Sequence, residues 1–273
     1  IRWDIGVSEN RALAVVATFD SLTPPWARSE YVQGERLQAQ ELEWYQARIG
    51  VGLAGHGRIG PGAIDNALDV ALTIETGNLW FNSGSHTDPT FVVPTDTFEH
   101  RGHLRVRADA LVRSVLELPF RGWSFGADGV WGRRTKWDPW GLPSEGLETG
   151  GASWLAGSAF AYAATGIPGL SERHTLVACA HAGTGSDLDR FSDFRIVSGS
   201  TWGDFETLSH LVLPAAGVDE IATARYATVD LEYRYTPVFF LDLQLRGTLA
   251  WADVPVHGAA GAGTRTEAFP AVT

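Results

Sequence analysis

Apolar and polar residues alternate strictly along many segments of this 273-residue chain, and the polar side carries charges that a dry core would not accept. Val238 to Ala252 shows the pattern best. Phe239, Leu241, Leu243, Leu245, Leu249 and Trp251 fall on one face of an extended strand. Asp242, Gln244, Arg246 and Thr248 fall on the other, because strand side chains have period two. The preceding segment repeats it, with Ala227, Val229, Leu231, Tyr233 and Tyr235 opposite Thr228, Asp230, Glu232 and Arg234. Only Thr236 and Pro237 separate the two runs, which predicts a hairpin.

Composition narrows the class of β protein. A single cysteine, Cys179, rules out a disulfide within the chain, and the absence of methionine is unusual for a cytosolic enzyme core. A net charge of −11 argues against a nucleic-acid partner, which needs clustered Lys and Arg. Zinc-type Cys/His clusters are missing from the sequence, so neither metal nor cofactor is expected. Ile1 in place of an initiator Met is the expected sign of a processed or partial chain, which leaves export open.

Only the uncharged run Thr149 to Ser171 is long enough to suggest a spanning helix. Its Gly157 to Ala161 spacing would suit helix packing in a membrane. It reads better as a strand, because Gly166-Ile167-Pro168-Gly169 punctuates it and its neighbours have period two. Trp154, Phe160 and Tyr162 then share one face, and Gly157, Ala159, Ala161 and Ala163 the other.

Ten alternating segments emerge in all: Arg2 to Val7, Arg11 to Asp20, Leu37 to Gly55, Ile64 to Trp80, His103 to Leu118, Trp123 to Arg134, Trp154 to Thr165, His174 to Ala182, Val218 to Tyr235, and Val238 to Ala252. Most reach the roughly 9 to 11 residues that a tilted strand needs to cross a bilayer. Between them short connections (Ser8 to Asn10, Gly57 to Gly62, Pro119 to Gly122, Ile167 to Leu170, Thr236-Pro237) alternate with long ones (Ser21 to Arg36, Phe81 to Gly102, Thr135 to Ser153, Gly183 to Gly217). Outer-membrane barrels have this asymmetry of tight periplasmic turns and long external loops.

Charge placement agrees. Ile64, Leu68, Val70, Leu72 and Ile74 lie opposite Asp65, Asp69, Thr73 and Glu75, and Leu104, Val106, Ala108, Ala110 and Val112 lie opposite Arg105, Arg107, Asp109 and Arg113. Acids on one strand would meet arginines on the next inside a wet lumen. A soluble sheet with one solvated face produces the same alternation in any single strand, but not the strand lengths and loop asymmetry together. Tyr45, Trp123, Trp131, Trp154, Tyr233, Tyr235 and Trp251 lie near segment ends on the face assigned to lipid, as interfacial girdles require. Thr264 to Thr273 reads as the start of another strand. The expected fold is therefore a single all-β domain over 1–273, an antiparallel transmembrane β-barrel of about 12 strands or more. Its C-terminal side is expected to be incomplete, with further chain or a partner chain closing the wall, because lipid cannot satisfy an open strand edge.

The longest connection, over 183–217, is the best candidate for function. It carries Asp187-Leu188-Asp189-Arg190-Phe191-Ser192-Asp193-Phe194-Arg195-Ile196-Val197-Ser198-Gly199-Ser200-Thr201-Trp202-Gly203-Asp204 and leads to Leu231-Glu232-Tyr233-Arg234-Tyr235. This order resembles the bacterial surface-antigen superfamily of outer-membrane barrels, which includes BamA-type insertases, two-partner-secretion transporters and the barrels of patatin-like proteins. Phe19-Asp20-Ser21 through Pro24-Pro25 to Gly34-Glu35-Arg36-Leu37 is similar to that family's first external hairpin. The resemblance implies an external loop folded into the lumen, with Arg195, Gly199, Trp202 and Gly203 at its tip, and Asp204 is a further loop candidate. The sequence departs from the family where a Val-Arg-Gly-Phe tip is usual, since Ile196 follows Arg195. Arg246 also stands where an acidic partner is usual, and would repel Arg195.

The lumen candidates are Arg105, Arg107, Arg113, Asp65, Asp69, Glu75, Asp230, Glu232, Arg234 and Arg246. His100 and His103 with Glu99 and Asp96, and Asp204, Glu206 and His210, read as solvated loop clusters, and Cys179 as an inert small residue. No catalytic residue is expected. The expected function is a transport, translocation or membrane-assembly barrel in the outer membrane of a Gram-negative-type bacterium. Its partners would be outer-membrane lipid and other subunits of a membrane complex. A passive diffusion porin and a soluble Trp-rich β carbohydrate-binding protein are the alternatives.

Overall fold

The structure, a computed structural model, describes residues 2–6, 12–22, 28–32, 35–59, 67–112, 120–196, 221–238, 241–256 and 263–272. Among the described residues fourteen strands form: β1 (Arg2–Gly6), β2 (Leu13–Leu22), β3 (Arg28–Val32), β4 (Glu35–Arg58), β5 (Ala67–Ser83), β6 (Thr97–Asp109), β7 (Gly122–Arg134), β8 (Ser153–Gly166), β9 (His174–Ser186), β10 (Phe194–Ile196), β11 (Ile221–Thr223), β12 (Arg225–Val238), β13 (Leu241–Val256) and β14 (Gly263–Val272). Eleven of them make one antiparallel path in the order β1-β2-β4-β5-β6-β7-β8-β9-β12-β13-β14; β3 adds onto β4, and β10 pairs with β11 as a separate ribbon. No helix among the described residues is long and apolar enough to cross a membrane.

The alternating pattern sorts the two faces of this sheet in an inverted way. On one face large apolar side chains stand exposed: Ile49, Val51 and Leu53 on β4, Leu72 and Ile74 on β5, and Leu243 and Leu245 on β13 are all more than half exposed. On the other face Arg48, Thr73, Glu99, Arg107, Arg134, Asp230, Arg234 and Thr248 are buried. The buried face is concave, because side chains from strands that are not neighbours meet across it. Arg48 of β4 pairs with Glu99 of β6 at 3.1 Å, and Arg101 of β6 lies 5.3 Å over the Trp154 ring of β8. The curl also brings Cα atoms of β3 within 8 Å of β13, near the far end of the path. Glycine on the concave face makes room for this. A Cβ on Gly126 would fall 2.4 Å from Phe160 and 2.7 Å from Arg107, and one on Gly132 would fall 2.2 Å from the Trp154 indole.

All-β architecture and antiparallel pairing match the sequence reading; a closed barrel does not appear, and β6 ends at Asp109 rather than Leu118, so the short connection expected over Pro119 to Gly122 is not reproduced. Among the described residues β1 and β14 are the two ends of the sheet and do not pair with each other. The strand expected after Thr264 is present as β14 and pairs with β13.

Several boundaries and one face are corrected. The run over 149–171 contains the strand β8, but its aromatic face turns inward. Trp154, expected at a lipid-facing rim, is 5% exposed and packs over Gly132, a place no alternation rule identifies. The Val218 to Tyr235 segment divides at Ala224 into β11 and β12, and β6 begins at Thr97 rather than His103. The expected Thr236-Pro237 turn lies within β12. A register shift between Tyr235 and Val238 absorbs the proline, which lacks a ladder N–H. Phe239 lies outside the described residues.

Candidate functional site

All the long connections leave the same end of the sheet, and there the chain after β9 turns back over the concave face. Asp187 adopts a left-handed conformation (φ 54°), which Asp tolerates better than most residues. Asp189 then builds a tight turn. Its carboxylate accepts from the Phe191 amide at 3.1 Å and the Ser192 hydroxyl at 2.8 Å, and its carbonyl accepts from the Asp193 amide at 2.9 Å.

That turn delivers two side chains to the far wall. Phe191 enters a nest of four rings, 4.8 Å from Phe81 (β5), 5.2 Å from Trp140, 5.7 Å from Trp44 (β4) and 5.8 Å from Trp137. Arg190 donates to the Gln40 carbonyl of β4 at 2.6 Å. Because β9 and β4 stand five places apart in the sheet, the segment spans the concavity rather than lining it.

Beneath the ring nest runs a ladder of alternating charge. Asp20 (β2) pairs with Arg48 at 3.1 Å, Arg48 with Glu99 at 3.1 Å, Glu99 with Arg134 (β7) at 3.1 Å, and Arg134 with Asp189 at 2.5 Å. Arg134 also donates to the Gly151 carbonyl at 2.8 Å and lies 4.1 Å over Trp137. Its side chain has no solvent exposure and Glu99 only 1%, so each charge is held by its partners and not by water. A cavity of about 400 Å³ adjoins this junction, with Gln40, Glu145, Glu148, Asp189, Arg190 and Asp193 among its walls.

A second anchor holds the 84–96 connection. Glu41, on the part of β4 beyond the exposed apolar band, accepts from the His86 amide at 3.0 Å and meets His86 Nδ1 at 2.8 Å. Burial pushes the Glu41 carboxyl up, but the His86 hydrogen bonds and the charges of His86 and Arg36 outweigh it and leave it below its ordinary 4.5. A carboxylate depressed in the folded state stabilises above its unfolded value and loses that contribution as pH falls through the folded one. Amide exchange at His86 and Thr87, corrected for intrinsic rates, is therefore expected to accelerate below about pH 4.5. Glu41→Gln should lose that acid step and show weaker protection at neutral pH; an unchanged acid step would remove the anchor.

Of the residues singled out in the sequence, Asp69, Glu75, Arg105, Arg107, Asp230, Glu232, Arg234 and Arg246 all share the concave face. Their pairings differ in part from expectation. Arg107 lies opposite Asp69 in register, yet its ion pair is with Asp128 of β7, which also meets His103 at 2.8 Å. Arg246 donates to Asp230 at 2.7 Å, and Arg234 pairs with Glu232 at 2.7 Å. Arg195 sits in the β10 ribbon, paired with Asp193 at 3.1 Å and donating to the Arg190 carbonyl at 2.7 Å. Arg195 and Arg246, expected to repel each other, each have an acidic partner, Asp193 and Asp230. Gly199, Trp202, Gly203, Asp204, Glu206, His210, Asp65 and Arg113 lie outside the described residues.

The Asp96, Glu99, His100, His103 group does not converge. Glu99 is buried in the ladder, Asp96 accepts from the Phe81 amide at 2.9 Å, and His100 meets Thr76 at 3.0 Å. Sequence reasoning passed over Arg48, Arg134 and Asp189. Their only sequence signal is inward parity on long strands and the Asp-x-x-Ser turn over 189–192, neither of which reveals a partner several strands away. In comparisons with known proteins, neither a family model nor a curated protein matches this chain, so function has to be read from the site itself.

Proposed function

We propose that this chain forms the wall of an outer-membrane β-barrel whose long-loop end is stoppered by the segment after β9, in a protein of transport or membrane assembly rather than a permanently open pore. The observation that carries this reading is the inverted sheet. Exposing Leu, Ile, Val and Trp along neighbouring strands forfeits about 25 cal/mol for each Å² of apolar surface left in water, whereas lipid accepts that surface. The buried face carries charge that alternates in sign, which suits a lumen. Strands of 13 to 17 residues such as β5, β6 and β7 exceed the roughly 9 to 11 needed to cross. The outer edges of β1 and β14 must then be paired, with each other or with further strands, because lipid satisfies no backbone group. The ring nest and charge ladder support the stopper, since they bind loop to wall by buried contacts.

Purified protein mixed with vesicles during refolding should float with lipid in a density gradient and lose solubility when detergent is withdrawn. A monodisperse protein in detergent-free buffer, left at the bottom of the gradient, would end the membrane reading and favour a soluble β protein.

A further inference from the structure

We infer that Cys179, His181 and Asp230 form a binding site for one divalent ion of the zinc type on the concave face of the sheet. Cys179 and His181 stand two apart on β9 and so share a face; Cys179 lies across from Asp230 of β12, and His181 across from Thr228. The Cys179 Sγ is 3.2 Å from His181 Nε2, and one ligand atom from each of the three residues lies within 4.8 Å of the others. A tetrahedral zinc-type ion bonds sulfur at about 2.3 Å and nitrogen or oxygen at about 2.0 to 2.2 Å, which sets neighbouring ligand atoms roughly 3.5 Å apart. Small side-chain adjustments close the site around an ion.

Thr228 supplies an independent sign. It is 1% exposed, and its hydroxyl oxygen is buried without a hydrogen-bond partner, although it stands beside His181 and two residues from Asp230 on the same face. Three protein ligands leave such an ion a fourth position for water. That water would give the Thr228 hydroxyl the partner it lacks.

The surroundings also hold the ligands in place. Asp230 Oδ1 accepts from Arg246 at 3.0 and 2.7 Å and from Thr248 at 2.6 Å, and the His181 ring stacks on Phe160 at 5.9 Å. Contacts of this kind orient ligands in metal sites. A thiolate and a carboxylate would balance the ion's two charges. Sulfur and imidazole together favour a borderline-soft ion over magnesium or calcium. The inference runs against the expectation of an inert Cys179 and no metal. Spacing rules look for ligands close along the chain, whereas here the third comes from the neighbouring strand. The inference stands apart from the membrane reading.

The test uses chelator-stripped protein in detergent, titrated with Co²⁺ as the spectroscopic probe and then with Zn²⁺ as competitor, with bound metal counted by mass spectrometry. One ion per chain and a thiolate-to-cobalt charge-transfer band are expected. Cys179→Ser should abolish the band, and His181→Gln should weaken affinity by at least about tenfold, with strand content unchanged by circular dichroism. Wild-type protein that binds neither ion would overturn the inference, leaving only a sulfur–imidazole hydrogen bond. So would a band that survives Cys179→Ser, or binding that His181→Gln leaves intact.

Discussion

Replacing Arg134 with methionine is expected to destabilise the protein by about 3 to 5 kcal/mol and to unstopper its long-loop end. The guanidinium links two buried acids, Glu99 on one side and Asp189 on the other. Methionine fills much of the volume but leaves buried Glu99 with Arg48 as its remaining ion pair and buried Asp189 with the neutral Phe191 and Ser192 donors of its own turn. Removing one partner of a buried pair costs far more than the pair itself is worth. The loss should fall on the segment after β9, because Asp189 organises the turn that carries Phe191 into its ring nest. Denaturant midpoints with an unchanged m-value would measure the destabilisation. In planar bilayers the intact protein should conduct rarely and the variant in frequent steps. Adding Asp189→Asn and Glu99→Gln should recover part of the stability, since neutral amides tolerate burial better than unpaired carboxylates, and the three sites share one network. A loss below about 1 kcal/mol with conductance unchanged would mean that the ladder does not hold the stopper. Large constitutive steps from the intact protein would favour a porin instead.

How far the sequence foretells this arrangement depends on the range of the interaction. Period-two alternation is local, so the exposed face of β5 (Leu68, Val70, Leu72, Ile74) and that of β13 (Leu243, Leu245) are legible from a few residues each. Turn chemistry is also local, and it marks the long connections after β5, β7 and β9, but not the end of β6 at Asp109. What fails is whatever a distant partner decides. Trp154 turns inward because Gly132, on the neighbouring strand, leaves a gap for its indole. Glu99 reads as a solvated loop acid because the alternation nearby is weak, yet β6 starts early and carries it between two arginines from other strands. Pro237 looks like a turn residue, and a bulge accommodates it within β12. Asp189, Arg190 and Phe191 stand in the loop that length alone marks as functional, but their contacts on β4, β5 and β7 require the sheet to be curled first. Cys179 gives no signal by itself, since its two companions are a residue of the same strand and one from the strand alongside.

Leu245→Arg is expected to cost about 2 to 4 kcal/mol in lipid, while Gln244→Arg, one residue away, should stay within about 0.5 kcal/mol. Leu245 is 60% exposed and sits centrally in the β13 band formed by Leu241, Leu243, Leu249 and Trp251. On a water-facing sheet that exposure would make arginine harmless there, because surface substitutions away from special contacts rarely exceed half a kcal/mol. In a bilayer the same position forces a charge into hydrocarbon, whereas the face that carries Gln244 and Arg246 accepts another guanidinium. The two media therefore give different asymmetries between adjacent residues. Leu72→Arg on β5, also more than half exposed, repeats the comparison on a strand far along the sheet and separates a lipid effect from a local packing effect. Reversible unfolding from vesicles, with the denaturant slope held constant across variants, reads the difference directly. A large cost at Leu245 and Leu72 beside a small one at Gln244 is what the membrane reading requires. Equal small costs at all three would return the exposed apolar face to water.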